Sequence, residues 1–347
     1  MGYITIDVGT TNTRIRFIEG QEILGEYKEH TGVRDTAITG NIEKLKTALK
    51  DGISHCLRFC NKTLGDTERI IASGMITSNL GLVEIPHLET PVSISDLGKA
   101  MRSELFHDIV DQPIYFIPGV KNRVKSLDIE NFEEMDMMRG EEVEALGTVE
   151  LLEEKGNILF ISPGSHTKFV FIDEGQRIEK CSTTLMGELL WALSRETILA
   201  QSIPKELVTS IDQEYVEKGI CAARKYGFSK ACFLVRILDL FTDATENQRA
   251  NFIAGAVSYY DIASVKDYLK EERPKILIGG AVILRDLYWE SLRIQGYDMK
   301  QVLRVDQGIL EKSSAIGAIK AFERYEKLNW GSGSIHTNAP ITPNSIL

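Results

Sequence analysis

Hydrophobic and polar positions alternate in several short segments of the chain, and two of these segments repeat the same arrangement. Residues 3–8 and 13–18 alternate on either side of a short polar turn, which predicts two half-buried strands. Glu22–Glu29 continues the pattern as a third strand. Much later, residues 157–173 again follow the order strand, turn, strand. This recurrence predicts two halves of similar architecture, although their residues differ.

Other segments carry apolar residues at helical spacing. Residues 42–60 present one apolar stripe, and residues 187–270 are mainly helical in pattern. A helix is expected to begin at Arg139-Gly140, and a buried strand at 275–284 breaks at Gly279-Gly280 before another helix. Further expected elements are strands running into loops at 69–79 and 113–120, a short strand at 301–305, and a last helix around 315–322. Strands that alternate with helices predict an α/β fold.

The length of the chain, 347 residues, favours two domains over one core. We place an N-terminal domain at 1–138 and a C-terminal domain at 139–328, with a helical insertion at about 187–270. The residues at 329–347 are rich in Gly, Ser and Pro, and we expect a flexible tail there.

Charge and cysteine content exclude several classes of protein. The net charge is −10 and the basic residues form no run, which argues against nucleic-acid or anionic-membrane partners. No apolar run is long enough for a membrane span, and Asp7 interrupts any N-terminal export signal. The 5 cysteines are scattered, which is typical of free thiols in a reducing compartment. We therefore expect a cytoplasmic protein.

The first turn, in the stretch "IDVGTTNTR", has more polar side chains than a turn needs. After Asp7 come the residues Gly9, Thr10, Thr11, Asn12 and Thr13. Backbone amides and hydroxyls in a tight turn can cradle phosphate oxygens, and Asp7 could hold a Mg²⁺ that bridges them. The alternative is a polar hairpin turn in which Asp7 caps backbone amides. The spacing alone leaves both interpretations open.

The second turn offers a similar set, namely Gly164, Ser165, His166, Thr167 and Lys168. Lys168 and Thr167 suit phosphate, whereas His166 could donate a hydrogen bond, act as an acid, or be structural. Gly279-Gly280 permits close approach of a ligand, or only a tight turn with positive φ. The chain has no P-loop motif, which excludes that class, and no dinucleotide-binding glycine motif after its first strand, which argues against a Rossmann site.

Carboxylates gather in "MRGEEVEALG", where Glu141, Glu142 and Glu144 occupy a first helical turn. The helix dipole favours acidic residues there without any catalytic role. Phosphoryl transfer, however, needs a carboxylate that accepts the proton of the substrate hydroxyl. Among the loops of the first half, Ser78 and Asn79 could bind hydroxyls and Arg34 could pair with a carboxylate. Loops without any ligand are the alternative.

Taken together, these stretches resemble the 2-dehydro-3-deoxygalactonokinase family of the actin/hexokinase/Hsp70-like phosphotransferase superfamily. The matching stretches, which span about residues 4 to 193, are "IDVGTTNTR", "GVR", "SGMITSNLG", "IPGV", "MRGEEVEALG", "SPGSHTKFV" and "TLMGELLWAL". Met-Arg-Gly-Glu-Glu followed by Pro-Gly-Ser-His-Thr-Lys is the most specific part. The chain departs from the family at Asp7-Val8-Gly9, where Asp-Trp-Gly is common.

The resemblance implies duplicated ribonuclease H-like (actin-like ATPase) domains with a central interdomain cleft that closes on ATP. The two turns would hold its phosphates and Gly279-Gly280 its adenosine. The reaction implied is ATP-dependent phosphorylation of the 6-hydroxyl of 2-dehydro-3-deoxy-D-galactonate, with Asp7 holding Mg²⁺ and Glu141 as the base. The residues implied in substrate binding are Arg14, Gly32, Val33, Arg34, Met75, Ser78, Asn79, Arg139 and Glu142. The expected partners are this sugar acid and ATP, and a homodimer is the candidate assembly.

Two alternatives belong to other functional classes. The Gly-x-Glu-Glu segment also resembles the catalytic-glutamate helix of exopolyphosphatases and pppGpp phosphohydrolases. A non-catalytic sugar-sensing module of the same fold is the second alternative. A hydrolase is expected to lack the "GVR" and "SGMITSN" loops, and a sensor typically carries an added DNA-binding domain, whereas here Met1 leads directly into the first strand. Both observations favour the kinase.

Overall fold

A computed structural model describes residues 1–330 of the chain. Its strands are Gly2–Val8 (β1), Thr13–Glu19 (β2), Glu22–Glu29 (β3), Thr67–Gly74 (β4), Leu88–Glu89 (β5), Arg102–Glu104 (β6), Ile114–Phe116 (β7), Val120–Lys121 (β8), Met137–Met138 (β9), Ile158–Ser162 (β10), Thr167–Ile172 (β11), Ile178–Thr184 (β12), Lys275–Ile278 (β13) and Val302–Arg304 (β14). Its helices are Val33–Thr39 (α1), Glu43–Phe59 (α2), Ile94–Lys99 (α3), Glu141–Leu152 (α4), Met186–Arg195 (α5), Gln213–Tyr226 (α6), Phe228–Phe241 (α7), Glu246–Ser264 (α8), Lys266–Glu271 (α9), Val282–Ile294 (α10) and Gln307–Trp330 (α11).

Two sheets share one order of five strands, and the first sheet has an additional edge strand, β6, antiparallel to β7. The first runs β3-β2-β1-β4-β7-β6 and the second β12-β11-β10-β13-β14. In each, three antiparallel strands are joined in sequence, and two further strands lie parallel to the first of them. This repeated order confirms the predicted duplication and the ribonuclease H-like α/β class. In both sheets the first strand carries a polar turn at its carboxyl end, so the two turns occupy equivalent positions.

Helices α4 and α11 pack together in the core that the two sheets share. This core joins Ile71 of the first sheet and Phe160 of the second with apolar residues of both helices. The helices cross closely at Gly147, where an added Cβ would lie 2.0 Å from the carbonyl oxygen of Ser313. Beside this crossing, the hydroxyl of Thr148 donates to Ser313 Oγ at 2.9 Å. Since α4 begins with the acidic cluster, its packing on α11 positions those carboxylates.

Several boundaries differ from the sequence-based expectations. The strand predicted at 113–120 is two strands in different sheets, because Pro118 has no N–H to donate and the chain leaves the first sheet there. Strand β8 instead joins β5 and β9 in a small third sheet. Helix α1 was expected to be a loop, since a helix of 7 residues shows little periodicity.

The helical region expected at 187–270 is present as α5 to α9. The flexible tail was expected from residue 329, but α11 continues through Trp330, and residues 331–347 of that prediction lie outside the described residues. Among residues 1–330, no helix combines the length and apolar character that crossing a membrane requires.

Candidate active site

A cavity of about 690 Å³ lies between the two halves of the chain. Residues of both polar turns, of the start of α4 and of the loop after β4 line it together. The lining residues that the sequence predicted are Gly9, Thr10, Met75, Ser78, Asn79, Arg139, Glu141, Gly164, Ser165, His166 and Lys168. The duplicated fold therefore brings the two turns to one cleft, as predicted.

The first turn is closed by a hydrogen bond from Gly9 N to the carbonyl oxygen of Asn12, at 2.8 Å. Gly9 lines the large cleft and also a neighbouring cavity of about 390 Å³, which Asp7 and Asn12 line. Thr10, Thr11 and Asn12 are exposed at the tip of the turn. Burial raises the pKa of Asp7, and the positive charges of Arg14 and Arg16 oppose that shift. Asp7 is thus a desolvated carboxylate beside the cleft.

Three predicted contacts of this region need correction. Thr13 is buried in β2, its hydroxyl donates to the carbonyl oxygen of Thr31 at 2.7 Å, and it lines the smaller neighbouring cavity rather than the large cleft. The side chain of Val33 is also buried in the core. Gly32 packs against the first turn, since a Cβ there would lie 2.5 Å from the carbonyl oxygen of Thr10. The "GVR" segment therefore supports the turn through its backbone rather than presenting side chains to a sugar.

Two predicted arginines lie outside the lining of the large cleft. Arg14 pairs with Asp7 in the register of β1 and β2, and its Nε lies 3.8 Å from Glu26. Arg34 is exposed, and its backbone N–H donates to Thr10 at 2.9 Å. Their roles in substrate binding stay predictions, and the arrangement offers no direct support for them.

The second turn is held by contacts with β9, β12 and α5. Lys168 Nζ donates to the carbonyl oxygen of Met137 and to Thr183 Oγ1, each at 2.7 Å. His166 Nε2 lies 3.4 Å from Glu188. The "MGELL" motif allows α5 to approach, because a Cβ at Gly187 would lie 2.3 Å from the carbonyl oxygen of Gly164. Lys168 and His166 are consequently fixed at the cleft.

Thr167 was predicted to bind phosphate, and the structure corrects this prediction. As the first residue of β11 its side chain points inward, is fully buried, and shares a hydrogen bond of 2.7 Å with the hydroxyl of Tyr288. Gly280 has φ of 77°, and a Cβ there would lie 2.6 Å from the carbonyl oxygen of Pro163. Gly279 is buried against Phe160. These glycines pack the strand end against the second turn, and their adenosine role stays a prediction.

The three glutamates at the start of α4 lie in different surroundings. Glu141 and Glu144 line the cleft, whereas Glu142 is fully buried and accepts hydrogen bonds from Gly140 N at 2.8 and 2.9 Å. The prediction that Glu142 contacts substrate is therefore corrected. Burial and the charge of Glu141 raise the pKa of Glu142 to about 8 and that of Glu144 to about 7. Ser162 Oγ donates to Glu144 at 3.3 Å.

Two glycines with positive φ allow this helix start to reach the end of β1. Gly74 has φ of 84°, and a Cβ on it would lie 3.1 Å from Asp7 Oδ1. Gly140 has φ of 119°, and a Cβ there would lie 3.3 Å from Gly74 Cα. These close approaches place Asp7 and the α4 carboxylates side by side.

Arg139 does not point a free guanidinium into the cleft. Its Nη1 donates to the carbonyl oxygen of Thr77 at 2.6 Å, and its Nη2 donates to the carbonyl oxygen of Ile85 at 3.0 Å and to His87 Nδ1 at 3.2 Å. The hydroxyl of Ser78 donates to the carbonyl oxygen of Met75 at 2.7 Å. Arg139 thus fixes the loop after β4 that carries the predicted sugar contacts.

Other residues of the cleft were not predicted as site residues. They are Glu84, Ile85, Pro86, His87, Met137, Met138, Glu144, Ser162 and Thr183. Glu144 was within reach of sequence reasoning, since it follows Glu141 by three positions and shares its helix face. His87 carries no such signal, because only the folded loop brings it to Arg139.

The duplicated sheets with a cleft between them place the chain in the actin-like ATPase fold class, and the family match that follows makes it a phosphotransferase with an alcohol group as acceptor. The chain belongs to the 2-keto-3-deoxy-galactonokinase family, whose sequence model matches residues 7–311. It is 25% identical over 305 residues to the 2-dehydro-3-deoxygalactonokinase of Escherichia coli (strain K12), covering 86% of this chain and 92% of that protein. A Rhizobium meliloti (strain 1021) protein, named as a probable 2-dehydro-3-deoxygalactonokinase DgoK1, is 30% identical over 202 residues, 58% of this chain and 59% of its own.

Solved structures agree on the fold. A Sinorhizobium meliloti protein, provisionally assigned as a 2-dehydro-3-deoxygalactonokinase, matches with a TM-score of 0.71 and 22% identity over 97% of this chain and 100% of its own. Component A of the (R)-2-hydroxyglutaryl-CoA dehydratase of Acidaminococcus fermentans matches with a TM-score of 0.51 and 13% identity, over 95% of this chain and 99% of its own. Both likenesses confirm the architecture only.

Proposed function

We propose that the chain transfers the γ-phosphoryl group of ATP to the 6-hydroxyl of 2-dehydro-3-deoxy-D-galactonate in galactonate breakdown. The observation that carries the proposal is that residues of both polar turns and Glu141 line one cleft of about 690 Å³. Family membership supports the reaction type, and the relatives' names supply the sugar acid. The stereochemical preference rests on loop geometry around one hydroxyl.

The phosphates of ATP would be held between the turns. The backbone amide of Thr10 on one side, and those of Gly164 and Ser165 on the other, are suited to phosphate oxygens. Lys168 adds a positive charge on the second turn. Phosphoryl transfer depends mainly on such positioning and on neutralising the charge that builds up on the phosphoryl oxygens.

Asp7 would hold a Mg²⁺, and its chemistry fits that ion. Its carboxylate is desolvated at the end of β1, and carboxylate oxygens are the ligands that Mg²⁺ prefers. Among residues 1–330 no three His, Cys, Asp or Glu side chains converge as a metal cage. A Mg²⁺ held by one or two carboxylates together with phosphates needs no such cage. When bound, the ion would neutralise phosphate charge.

Glu141 would accept the proton of the 6-hydroxyl. It lies at the first residue of α4, lines the cleft, and shares that wall with Glu144. Its Oε2 accepts a hydrogen bond from Arg139 N at 3.2 Å, which orients the carboxylate. A positioned carboxylate of this kind is what transfer to an alcohol requires.

The proposal is tested by ADP release in a coupled assay with a panel of acceptors. The panel contains 2-dehydro-3-deoxy-D-galactonate, its gluconate epimer, and simple hexoses that lack a carboxylate. Release of ADP that depends on the 2-keto-3-deoxy acids is expected. Absence of acid-dependent release would exclude the sugar-acid kinase, and release of phosphate from polyphosphate or pppGpp would favour the hydrolase instead.

A further inference from the structure

His87 lies in the wall of the cleft, directly before strand β5, and the reaction described above does not use it. The neighbouring backbone is fixed, because Leu88 N donates to the carbonyl oxygen of Gly119 at 2.9 Å. Gly119 also makes room for the ring, since a Cβ there would lie 2.8 Å from His87 Cδ2. The imidazole therefore has a defined place and orientation in the cleft.

One ring nitrogen of His87 is occupied and its partner sets the tautomer. Arg139 Nη2 lies 3.2 Å from Nδ1, and a guanidinium can only donate hydrogen bonds. Nδ1 must then be the acceptor, which leaves the ring proton on Nε2. Within residues 1–330, Nε2 makes no hydrogen bond. The ring, which lines the cleft, thus carries an N–H donor that has no protein partner and lies beside the backbone of Gly119.

The surroundings keep this ring neutral. Burial comes first, followed by the positive charges of Arg139, Lys121 and Lys168, and together they lower the pKa of His87 to about 4. A neutral ring with Nδ1 accepting is a donor only at Nε2. Two of these cations, Arg139 and Lys168, line the cleft together with the carboxylates of Glu84, Glu141 and Glu144.

We propose that His87 is a specificity residue whose Nε2–H donates to an oxygen of the carboxylate and ketone end of the sugar acid. This inference rests on the proposed function. Carboxylate and ketone oxygens accept hydrogen bonds and cannot donate, so they match a fixed donor. The reacting hydroxyl lies at the other end of the substrate, beside Glu141. His87 therefore provides, in place of the exposed Arg34, a contact for the acid end.

Two variants separate this role from support of Arg139. In His87→Gln the side-chain amide nitrogen can take the place of Nε2 and keep the donor, while the Nδ1 acceptor is lost. In His87→Asn the amide oxygen can take the place of Nδ1 and keep the acceptor for Arg139, while the donor is lost. We expect His87→Asn to raise the KM for the sugar acid about tenfold or more, and His87→Gln to stay within about threefold of the wild type. The kcat and the KM for ATP are expected to change little in both.

His166→Asn is the matched comparison, since this second cleft histidine lies on a phosphate turn and its loss should act on the KM for ATP. If the KM for the sugar acid is normal in His87→Asn but raised in His87→Gln, His87 only holds Arg139. That result would overturn the inference. Wild-type KM values in both variants would overturn it as well. A wild-type protein without acid-dependent ADP release would instead contradict the proposed function, and this inference would fall with it.

Discussion

Arg139 and Thr77 are joined across the cleft wall, with Arg139 Nη1 lying 2.6 Å from the carbonyl oxygen of Thr77. Because Nη2 also reaches Ile85 and His87, one guanidinium holds several acceptors of a single loop. A lysine has one ammonium and cannot reproduce this fork. We expect Arg139→Lys to raise the KM for the sugar acid about tenfold and to lower the free energy of unfolding by about 1–3 kcal/mol.

Steady-state kinetics and urea unfolding measure these two effects. Arg304→Lys is the matched control, because Arg304 is half-exposed and pairs with Asp286 on the surface. Its unfolding free energy should stay within about 0.5 kcal/mol of the wild type. An Arg139→Lys variant with unaltered stability and KM would mean that the loop does not depend on this arginine.

Glu141 and Glu144 offer a second test, because both carboxylates line the cleft and only one is proposed as the proton acceptor. Glu141→Gln should lower kcat by roughly 10²–10⁴ while the Kd for ATP stays nearly unchanged. Glu144→Gln, three residues further along α4, should lower kcat by a smaller factor. Single-turnover rates and ATP titrations of the two variants distinguish them. If Glu144→Gln loses more turnover than Glu141→Gln, the acceptor is Glu144.

Sequence reasoning recovered the parts of this molecule that follow from local pattern. The two strand–turn–strand units, the helix from Glu141 and the helical region near 187–270 all follow from periodicity and glycine placement. The placement of both turns at one cleft followed from the family resemblance and not from local pattern, and the structure does bring residues of both turns to one cavity.

Side-chain direction was the part that local pattern could not supply. Thr13 and Thr167 belong to polar turn motifs, yet each begins a strand and has a buried side chain. Glu142 lies between two cleft residues, but a helix turns about 100° per residue and carries it inward. His87 reaches the site only through a loop whose course depends on tertiary contacts with Arg139 and Gly119.

The buried carboxyl of Glu142 leads to a prediction on pH and stability. Its pKa is about 8 in the folded chain, raised from 4.5, so folding favours its protonated form. This contribution to stability is fully present below pH 4.5 and is lost as the pH rises through 8. Glu142→Gln cannot ionise and keeps an oxygen acceptor for Gly140 N. As the pH rises from acidic to alkaline, we expect the unfolding free energy of this variant, relative to that of the wild type, to increase by on the order of 1–3 kcal/mol.

Urea unfolding at about pH 5 and about pH 8.5 gives this difference directly. Glu150→Gln serves as the control, because Glu150 is exposed on the same helix. Its stability relative to the wild type should not vary with pH by more than about 0.5 kcal/mol. A wild-type and Glu142→Gln pair whose difference is constant over this range would show that Glu142 does not bind its proton more tightly on folding.

The crossing of α4 and α11 at Gly147 leads to the last prediction. A methyl group there would meet the carbonyl oxygen of Ser313 at 2.0 Å, and backbone cannot move aside as a flexible side chain can. Gly147→Ala should therefore lower the unfolding free energy by about 3 kcal/mol or more. Gly308→Ala in α11 is the control, since its Cβ would meet only the side-chain oxygen of Asp306, at 3.1 Å. The unfolding free energy of that variant should be unchanged or higher than that of the wild type by up to about 1 kcal/mol. Equal stability of the two variants would contradict the close crossing that sets the position of Glu141 and Glu144 in the cleft.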